Sequence, residues 1–442
     1  MEDFCDPAKL FKLLADGITL VFLAVILSYY FLLFYRPRQT KAEKSFESLS
    51  VIIPAHNEEK YIGLCIGAVQ EAQFKGFKEI IVVDDGSSDR TADIVSQIPG
   101  VKLISTAHTG KAASVNLAIA QAQGQLIATI DGDTEITGNT FIELQKTLEQ
   151  ENVVGTTCPI LVKNRTKHLL MWLHIEQVYS ALLRSIMAKV NANIVNSGQC
   201  AMYRANELKS CGGFSTIGYA DDMDISIRLI RRGYHLAFTE STSAYTNMPE
   251  QLSWLISQRA RWSRGPLTCI RRHLGLNKKI IDVYTLPLLI FTYVQGLVMG
   301  SFTIYQIATG YYTYFLSKGQ WLSFAVAKFF LDWCSILGLL RWSTGFFNGE
   351  TALTPINILG ALSSLLCYPL YIFAIIKYDR KIDIFHIIPL LFMAPFWWAI
   401  TLVQTSCLGE VFNKERLNKW TKANQTFNAE LSAAKTEAEC QP

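Results

Sequence analysis

Residues 17–35 (GITLVFLAVILSYYFLLFY) run without a single charged side chain for long enough to cross a hydrocarbon core of about 30 Å. Lipid offers no partner to a backbone N–H or C=O, so such a run is confined to a helix that satisfies its own hydrogen bonds. Four further apolar runs, near residues 282–310, 320–340, 355–376 and 385–409, impose the same condition. They enclose a long polar middle. With 50% hydrophobic and 18% charged residues among 442, the composition leans toward a membrane protein with room for two or three domains.

The first run reads as an anchor rather than a cleaved signal. Acidic Glu2, Asp3 and Asp6 precede it, and Arg36, Pro37 and Arg38 stand where a small-residue cleavage site would be needed. Basic residues Arg36, Arg38, Lys41 and Lys44 on one side of the polar middle, and Arg271, Arg272, Lys278 and Lys279 on the other, predict a cytoplasmic middle by the positive-inside rule. Five spans then return the basic tail (Lys414, Arg416, Lys419, Lys422) to the cytoplasm, whereas Lys377, Arg380 and Lys381 fall on the outer side against the rule. The weakest span is 320–340, where Lys328 and Asp332 would share a helix face. The expected organisation is an anchor over 1–45, a cytoplasmic domain over 46–249, an interfacial segment over 250–281, about four helices over 282–412, and a polar tail over 413–442.

The ten cysteines form no CxxC pair, which indicates neither a disulfide framework nor a zinc site. A net charge of +4 with basic residues gathered at membrane flanks suits lipid headgroups and argues against a nucleic-acid partner.

Between residues 46 and 161, short β-branched runs (Leu49–Pro54, Glu79–Asp84, Val101–Ser105, Gln125–Ile130) alternate with helical patterns near 58–72, 89–97 and 110–123. That alternation predicts an α/β fold with a parallel sheet. Ligands of such sheets bind beyond the carboxyl ends of the strands. Those ends are acidic here: His56-Asn57-Glu58, Asp84-Asp85-Gly86 and Asp131-Gly132-Asp133. Carboxylates gathered in one crevice repel one another unless a cation or hydrogen-bond donors fill it. No GxGxxG follows the first strand and no GxxxxGK[ST] occurs, which removes the main support for a dinucleotide oxidoreductase or a P-loop enzyme.

Six motifs in order, VIIPAHNEE, VVDDGSSD, GKAASVN, DGD, GYADDMD and QRARW, cover residues 49–265. Together they resemble the processive membrane-bound family 2 glycosyltransferases, the group of cellulose, chitin, hyaluronan and poly-N-acetylglucosamine synthases. The resemblance implies an α/β GT-A nucleotide-sugar (Rossmann-like) cytoplasmic domain joined to an α-helical transmembrane bundle, in the plasma (inner) membrane. It also implies Mg²⁺ or Mn²⁺ at Asp131 and Asp133, whose side chains two apart at a strand end can each direct a carboxylate at a nucleotide sugar. Asp85 matches the position that accepts from the uracil imide, with His56 where the family carries an aromatic beside the base and Glu58 as the neighbouring acid. Lys111, after Gly110, fits a phosphate or base contact at a helix start. An Asp-Gly turn or a solvated lysine is the plainer reading of each taken alone.

Asp222 of Ala220-Asp221-Asp222 matches the last position of the family's TED, the general base of inverting transfer. As a plain helix N-terminus, Asp221, Asp222 and Asp224 would also meet the macrodipole favourably. Gln258, Arg261 and Trp262 fall at i, i+3 and i+4 of a helix, one face able to offer a guanidinium to the departing diphosphate and an indole to the acceptor sugar; an amphipathic interfacial helix is the alternative. Ser197 and Gly198 resemble an acceptor-site turn. The 167–190 segment is a second amphipathic helix suited equally to membrane contact or to packing on the catalytic domain.

These readings converge on a UDP-sugar glycosyltransferase that transfers a hexose or N-acetylhexosamine to a growing polysaccharide, with export of the polymer and room for a small membrane partner subunit. A lipid glycosyltransferase adding one sugar shares the same motifs. Aromatic residues such as Tyr368, Trp333, Trp397 and Trp398 suit a polymer path, although aromatic belts explain them more simply. A transporter is a distant alternative resting on Lys328 and Asp332 at membrane depth, with no internal repeat to support it.

Overall fold

The computed structural model describes residues 7–37, 44–165, 167–275, 279–379, 382 and 384–409. The polar tail and the basic residues Arg38, Lys41, Lys278, Arg380 and Lys381 lie outside them. Two compact units emerge, one from the described parts of Met1–Arg36, Arg165–Ile186 and Leu286–Ser406, the other from those of Pro37–Asn164, Met187–Thr285 and Cys407–Pro442.

The second unit is built on ten strands: β1 (Ser48–Ala55), β2 (Phe77–Asp84), β3 (Val101–Ser105), β4 (Leu126–Ile130), β5 (Thr134–Ile136), β6 (Val153–Thr157), β7 (Ile160–Val162), β8 (Cys200–Arg204), β9 (His235–Phe238) and β10 (Ala244–Thr246). Seven form one sheet in the order β3-β2-β1-β4-β8-β6-β9, and β5-β10-β7 form a small second sheet. The first four are mutually parallel. Central β1 is buried along Leu49–Ala55, which explains why its sequence is a continuous apolar run rather than an alternating one. Helices Ile62–Glu71, Thr91–Ser96 and Lys111–Gln121 supply the crossovers. Because β1 to β4 point the same way, the acidic loops after β1, β2 and β4 and the Lys111 helix start after β3 all open at one edge. β8 then runs antiparallel to β4, so that Gln199, just before β8, accepts from the Asp131 N–H at 3.2 Å.

The first unit is helical. Lys12–Phe34, Ile281–Lys318 and Pro355–Asp379 are long and apolar enough to cross a membrane, and Ile384–Leu391 with Met393–Ser406 forms a pair bent by 59°. Residues 320–340, expected as a span, do not make one continuous helix: Phe324–Cys334 ends where Ser335 turns extended (φ −127°, ψ 158°), and Ile336–Asn348 begins beyond it. The two short helices pack closely, with Gly338 against the Asp332 backbone. Asp332 pairs with Arg341, which compensates its charge without the lysine four residues earlier. Gly296 and Gly300 form a small-xxx-small pair that lets Thr401 approach, a Cβ on either glycine coming within 3.1 and 3.3 Å of its methyl.

The amphipathic segment near 167–190 becomes the helix His168–Ala188, most of which belongs to this helical unit and not to the sheet domain as expected from the 46–249 boundary. Its Leu170, Leu173, Val178 and Leu182 are fully buried. Trp172 Nε1 donates to the Phe392 carbonyl at 3.1 Å, and the Tyr179 ring lies 4.3 Å from that of Tyr371. Those contacts pack the helix against Phe392 and Tyr371 of the helical unit, a neighbour that neither role read from the sequence had named.

Gly76 opens β2 with φ +120°, and a Cβ there would stand 2.1 Å from the Glu47 carbonyl oxygen, the acceptor of the Phe77 N–H. A backbone clash and a left-handed φ cannot both relax. Gly76→Ala is therefore expected to cost about 2 kcal/mol or more and to lower the melting temperature by several degrees in detergent-solubilised protein; an unchanged transition would contradict the geometry.

Candidate active site

The turn after β4 carries Asp131-Gly132-Asp133. Gly132 packs close to its neighbours: a Cβ would lie 3.3 Å from the Glu58 side chain and 3.4 Å from the Pro54 carbonyl. The Cys65 thiol beneath is pushed well above its ordinary pKa by burial, and further by the charges of Asp133, Asp131, Glu135 and Glu58. Asp131, Asp133 and Glu58 of the anticipated loops thus act on one thiol, joined by Glu135, which the strand-end argument did not include.

Lys111, the first residue of its helix, answers part of that charge. Its ammonium pairs with Asp131 Oδ1. Burial opposes the charged form, but the carboxylates of Asp131, Asp221 and Asp222 outweigh it and hold the ammonium above its ordinary pKa. The base candidate therefore stands beside the DxD turn. Asp222 opens the helix Asp221–Arg231; Gly198 N–H points at its Oδ2 over 3.4 Å, and a Cβ on Gly198 would come 3.3 Å from Lys111 Nζ. Gly198 is thus the close-approach point joining the two halves of the site. Burial raises the Asp222 pKa to about 6, with help from Asp221 and against the opposing Lys111 and the N–H groups of Met223 and Gly198. Ser197 is buried next to it, its hydroxyl 3.5 Å from Gln199.

Asp85 has a more structural part than the sequence indicated. Its Oδ1 accepts from Thr106 Oγ1 (2.7 Å), Thr109 N (2.7 Å), Thr109 Oγ1 (3.2 Å) and Ser114 Oγ (2.8 Å), while Oδ2 accepts from Gly110 N at 2.9 Å. This carboxylate ties the 106–110 loop to the Lys111 helix, and only Oδ2 keeps an accepting position for a ligand. His56 and His108 flank it, rings 4.5 Å apart, each with Nδ1 on the Asp85 carbonyl at 2.8 and 3.0 Å. A carbonyl only accepts, so both Nδ1 atoms donate. Sequence reasoning missed His108; its left-handed φ of 52° gives no advance signal in a histidine.

The QRARW pentad lies on the helix Leu252–His273, and its three expected residues fall on successive turns of one face. Gln258 Oε1 is a buried acceptor with no hydrogen-bond partner among the described residues. The buried guanidinium in the pentad is that of Arg259, stacked 4.4 Å over the Trp262 ring, a residue the spacing argument passed over in favour of half-buried Arg261. Further along, Gly265 accepts Ala220 so closely that a Cβ would stand 2.7 Å from the alanine methyl. An ionic knot locks the same two helices. Asp224, expected only to meet the helix dipole, accepts from Arg228 Nε at 2.7 Å, His273 Nε2 at 2.8 Å and Arg272 at 3.0 Å, while Arg231 reaches Asp282 at 2.7 Å.

A mainly parallel sheet with a DxD turn after β4 and a carboxylate beside it gives the sheet domain the GT-A fold of glycosyltransferases. Residues 50–211 match Glycosyl transferase family 2, so the chain carries a family 2 glycosyltransferase domain. Among relatives, a probable glycosyltransferase of Bacillus subtilis is 28% identical over 60% of this chain and 67% of its own length. The poly-beta-1,6-N-acetyl-D-glucosamine synthase of Staphylococcus epidermidis is 23% identical over 84% of this chain and 86% of its own. An N-acetylglucosaminyltransferase of Neorhizobium galegae is 26% identical over 49% of this chain, and the chain spans about half of that enzyme, 54%. Among solved structures, a mannosyltransferase of Pyrobaculum calidifontis, in complex with GDP-Man and Mn²⁺, shares the fold at a TM-score of 0.55 and 19% identity, over 79% of this chain and 99% of that one.

Burial alone would raise the Asp85 pKa, but its hydrogen bonds from Thr106, Ser114, Thr109 and Gly110 outweigh that and leave it lowered. The stabilisation is present above the unfolded carboxyl pKa and lost as pH falls through the folded one. Asp85→Asn is expected to cost about 2–4 kcal/mol at neutral pH, and the gap in melting temperature from wild type should narrow below about pH 4. A pH-independent gap would remove the charge from the account.

Proposed function

We propose that this protein is an inverting, membrane-integrated glycosyltransferase that moves a sugar from a UDP donor to a growing β-linked polysaccharide, with its sheet domain in the cytoplasm. The names of the relatives favour N-acetylglucosamine among the hexoses and N-acetylhexosamines. One observation carries the reading: a single ammonium, Lys111, is bracketed by the DxD carboxylate Asp131 and the base candidate Asp222, so donor and acceptor chemistry meet in one crevice.

Asp131 and Asp133 are hard oxygen donors two residues apart in a turn already overloaded with negative charge, a set suited to Mg²⁺ or Mn²⁺. When bound there, the ion would offset charge developing on the leaving diphosphate. The chain's own groups do the rest. Asp222, with its pKa raised to about 6, is ionised at neutral pH yet more basic than an ordinary aspartate, as a group removing a hydroxyl proton should be. Lys111 and Arg261 supply fixed positive charge toward the phosphates. Gln258 offers its buried carbonyl to a donor hydroxyl or amide, and Oδ2 of Asp85 to the uracil imide, with His56 and Glu58 beside them. Trp262, backed by Arg259, offers its other face to the acceptor sugar, and Ser197 with Gly198 borders the acceptor side.

Purified protein given UDP-N-acetylglucosamine should release UDP only with Mg²⁺ or Mn²⁺ present; equal turnover in excess EDTA would remove the metal role. The rate should fall as pH drops through about 6, because protonated Asp222 cannot act as base. Asp222→Asn should keep donor binding and lose at least about 100-fold in transfer, and a variant retaining a tenth of the wild-type rate would exclude Asp222. Mass spectrometry of the product separates a ladder of sugars, as proposed, from a single glycolipid.

A further inference from the structure

Apart from the sheet domain, three polar side chains converge inside the helical unit. His174 (on His168–Ala188) and His386 (on Ile384–Leu391) are buried, and Asp379 ends the helix Pro355–Asp379. Asp379 Oδ2 lies 2.6 Å from His174 Nε2 and 2.9 Å from His386 Nε2, so the two imidazoles present the same ring atom to one carboxylate oxygen. Arg165 completes the group. Its Nη1 stands 3.1 Å from each Asp379 oxygen and 3.2 Å from His174 Nε2, one cationic nitrogen almost equidistant from three ligand atoms.

Those contacts cannot all be satisfied by protons. A His174 Nε2 that donates to Asp379 has no lone pair for Arg165, and one that accepts from Arg165 has no proton for Asp379. A divalent cation resolves the conflict, because it takes lone pairs from both imidazoles and the carboxylate together. We propose that His174, Asp379 and His386 form a binding site for Zn²⁺ or a similar imidazole-seeking divalent ion, and that the Arg165 guanidinium holds its place when the ion is absent. Two imidazoles and one carboxylate are a ligand set zinc favours, with a fourth position left for water. Ligand atoms on a tetrahedral ion stand about 3.3 Å apart, so the side chains need to part by about half an ångström. Arg165, a third exposed, can swing out to make room. The site would clamp three helical segments through metal bonds in place of hydrogen bonds.

His174 Nδ1 is buried without a hydrogen-bond partner among the described residues. Metal-bound imidazoles usually donate that proton to an outer acceptor, whose loss costs about 10–100-fold in affinity. The ion should therefore exchange readily instead of being locked in.

The test uses untagged full-length protein in detergent, stripped with EDTA and equilibrated with Zn²⁺ under excess Mg²⁺ to mask the carboxylate crevice, then assayed for bound zinc and thermal unfolding. Wild type should retain one zinc per chain and melt higher with it. Arg165→Gln, which removes a competing charge from the surface, should bind several-fold tighter, and His386→Asn should lose the ion. Zinc held equally by His386→Asn, or none held by either wild type or Arg165→Gln, overturns the proposal. Neither result bears on sugar transfer, which has its own assay.

Discussion

The ion pair between Lys111 and Asp131 is the contact on which the catalytic domain turns. Parallel strands deliver acidic loops to one edge, and carboxylates so gathered would drive the edge apart if nothing positive stood among them. A lysine at a helix start, with Gly110 at φ 92° before it, brings the ammonium there without its own backbone blocking the crevice. Gly198 allows the same ammonium to approach the Asp222 side, so one cation links strand ends separated by about half the domain's sequence.

A second constraint orients what that cation attracts. Asp222 and the QRARW pentad sit on different helices, yet Asp224 collects His273, Arg272 and Arg228 around one buried carboxylate, while Arg231 reaches Asp282. Asp224 and Asp282 are the buried members, so removing the single partner Arg231 would leave Asp282 a poorly compensated buried charge, whereas Asp224 keeps two of its three partners when any one is lost. Chemistry at this site thus depends on a network that touches no substrate.

Much of this was legible in the residues themselves. The four parallel strands came from β-branched runs between helical patterns, and each lay within about two residues of its place, because a doubly covered sheet leaves a continuous apolar signature. Strand direction placed Asp131 among the acidic loops, whereas Lys111 was singled out as a helix start and Asp222 by the resemblance alone. What escaped were features that exist only once distant segments meet. Nothing in a lone histidine announces His108 beside His56, and the spacing rule that singled out Arg261 could not say that Arg259 would turn inward onto Trp262. Likewise the 320–340 run has the composition of a span, but the close approach of Gly338 to Asp332 folds it back at Ser335. The 167–190 helix was amphipathic by pattern alone, and only side-chain fit could assign it a neighbour.

The notch at Gly265 sets how close two segments of the site can come. A Cβ on Gly265 would stand 2.7 Å from the Ala220 methyl, so any side chain there would press the pentad helix off the turn that precedes Asp221 and Asp222. The 106–110 loop is held separately, through the Asp85 carboxylate, so the two sides of the candidate site are anchored by unlike contacts, apolar fit on one and hydrogen bonds on the other.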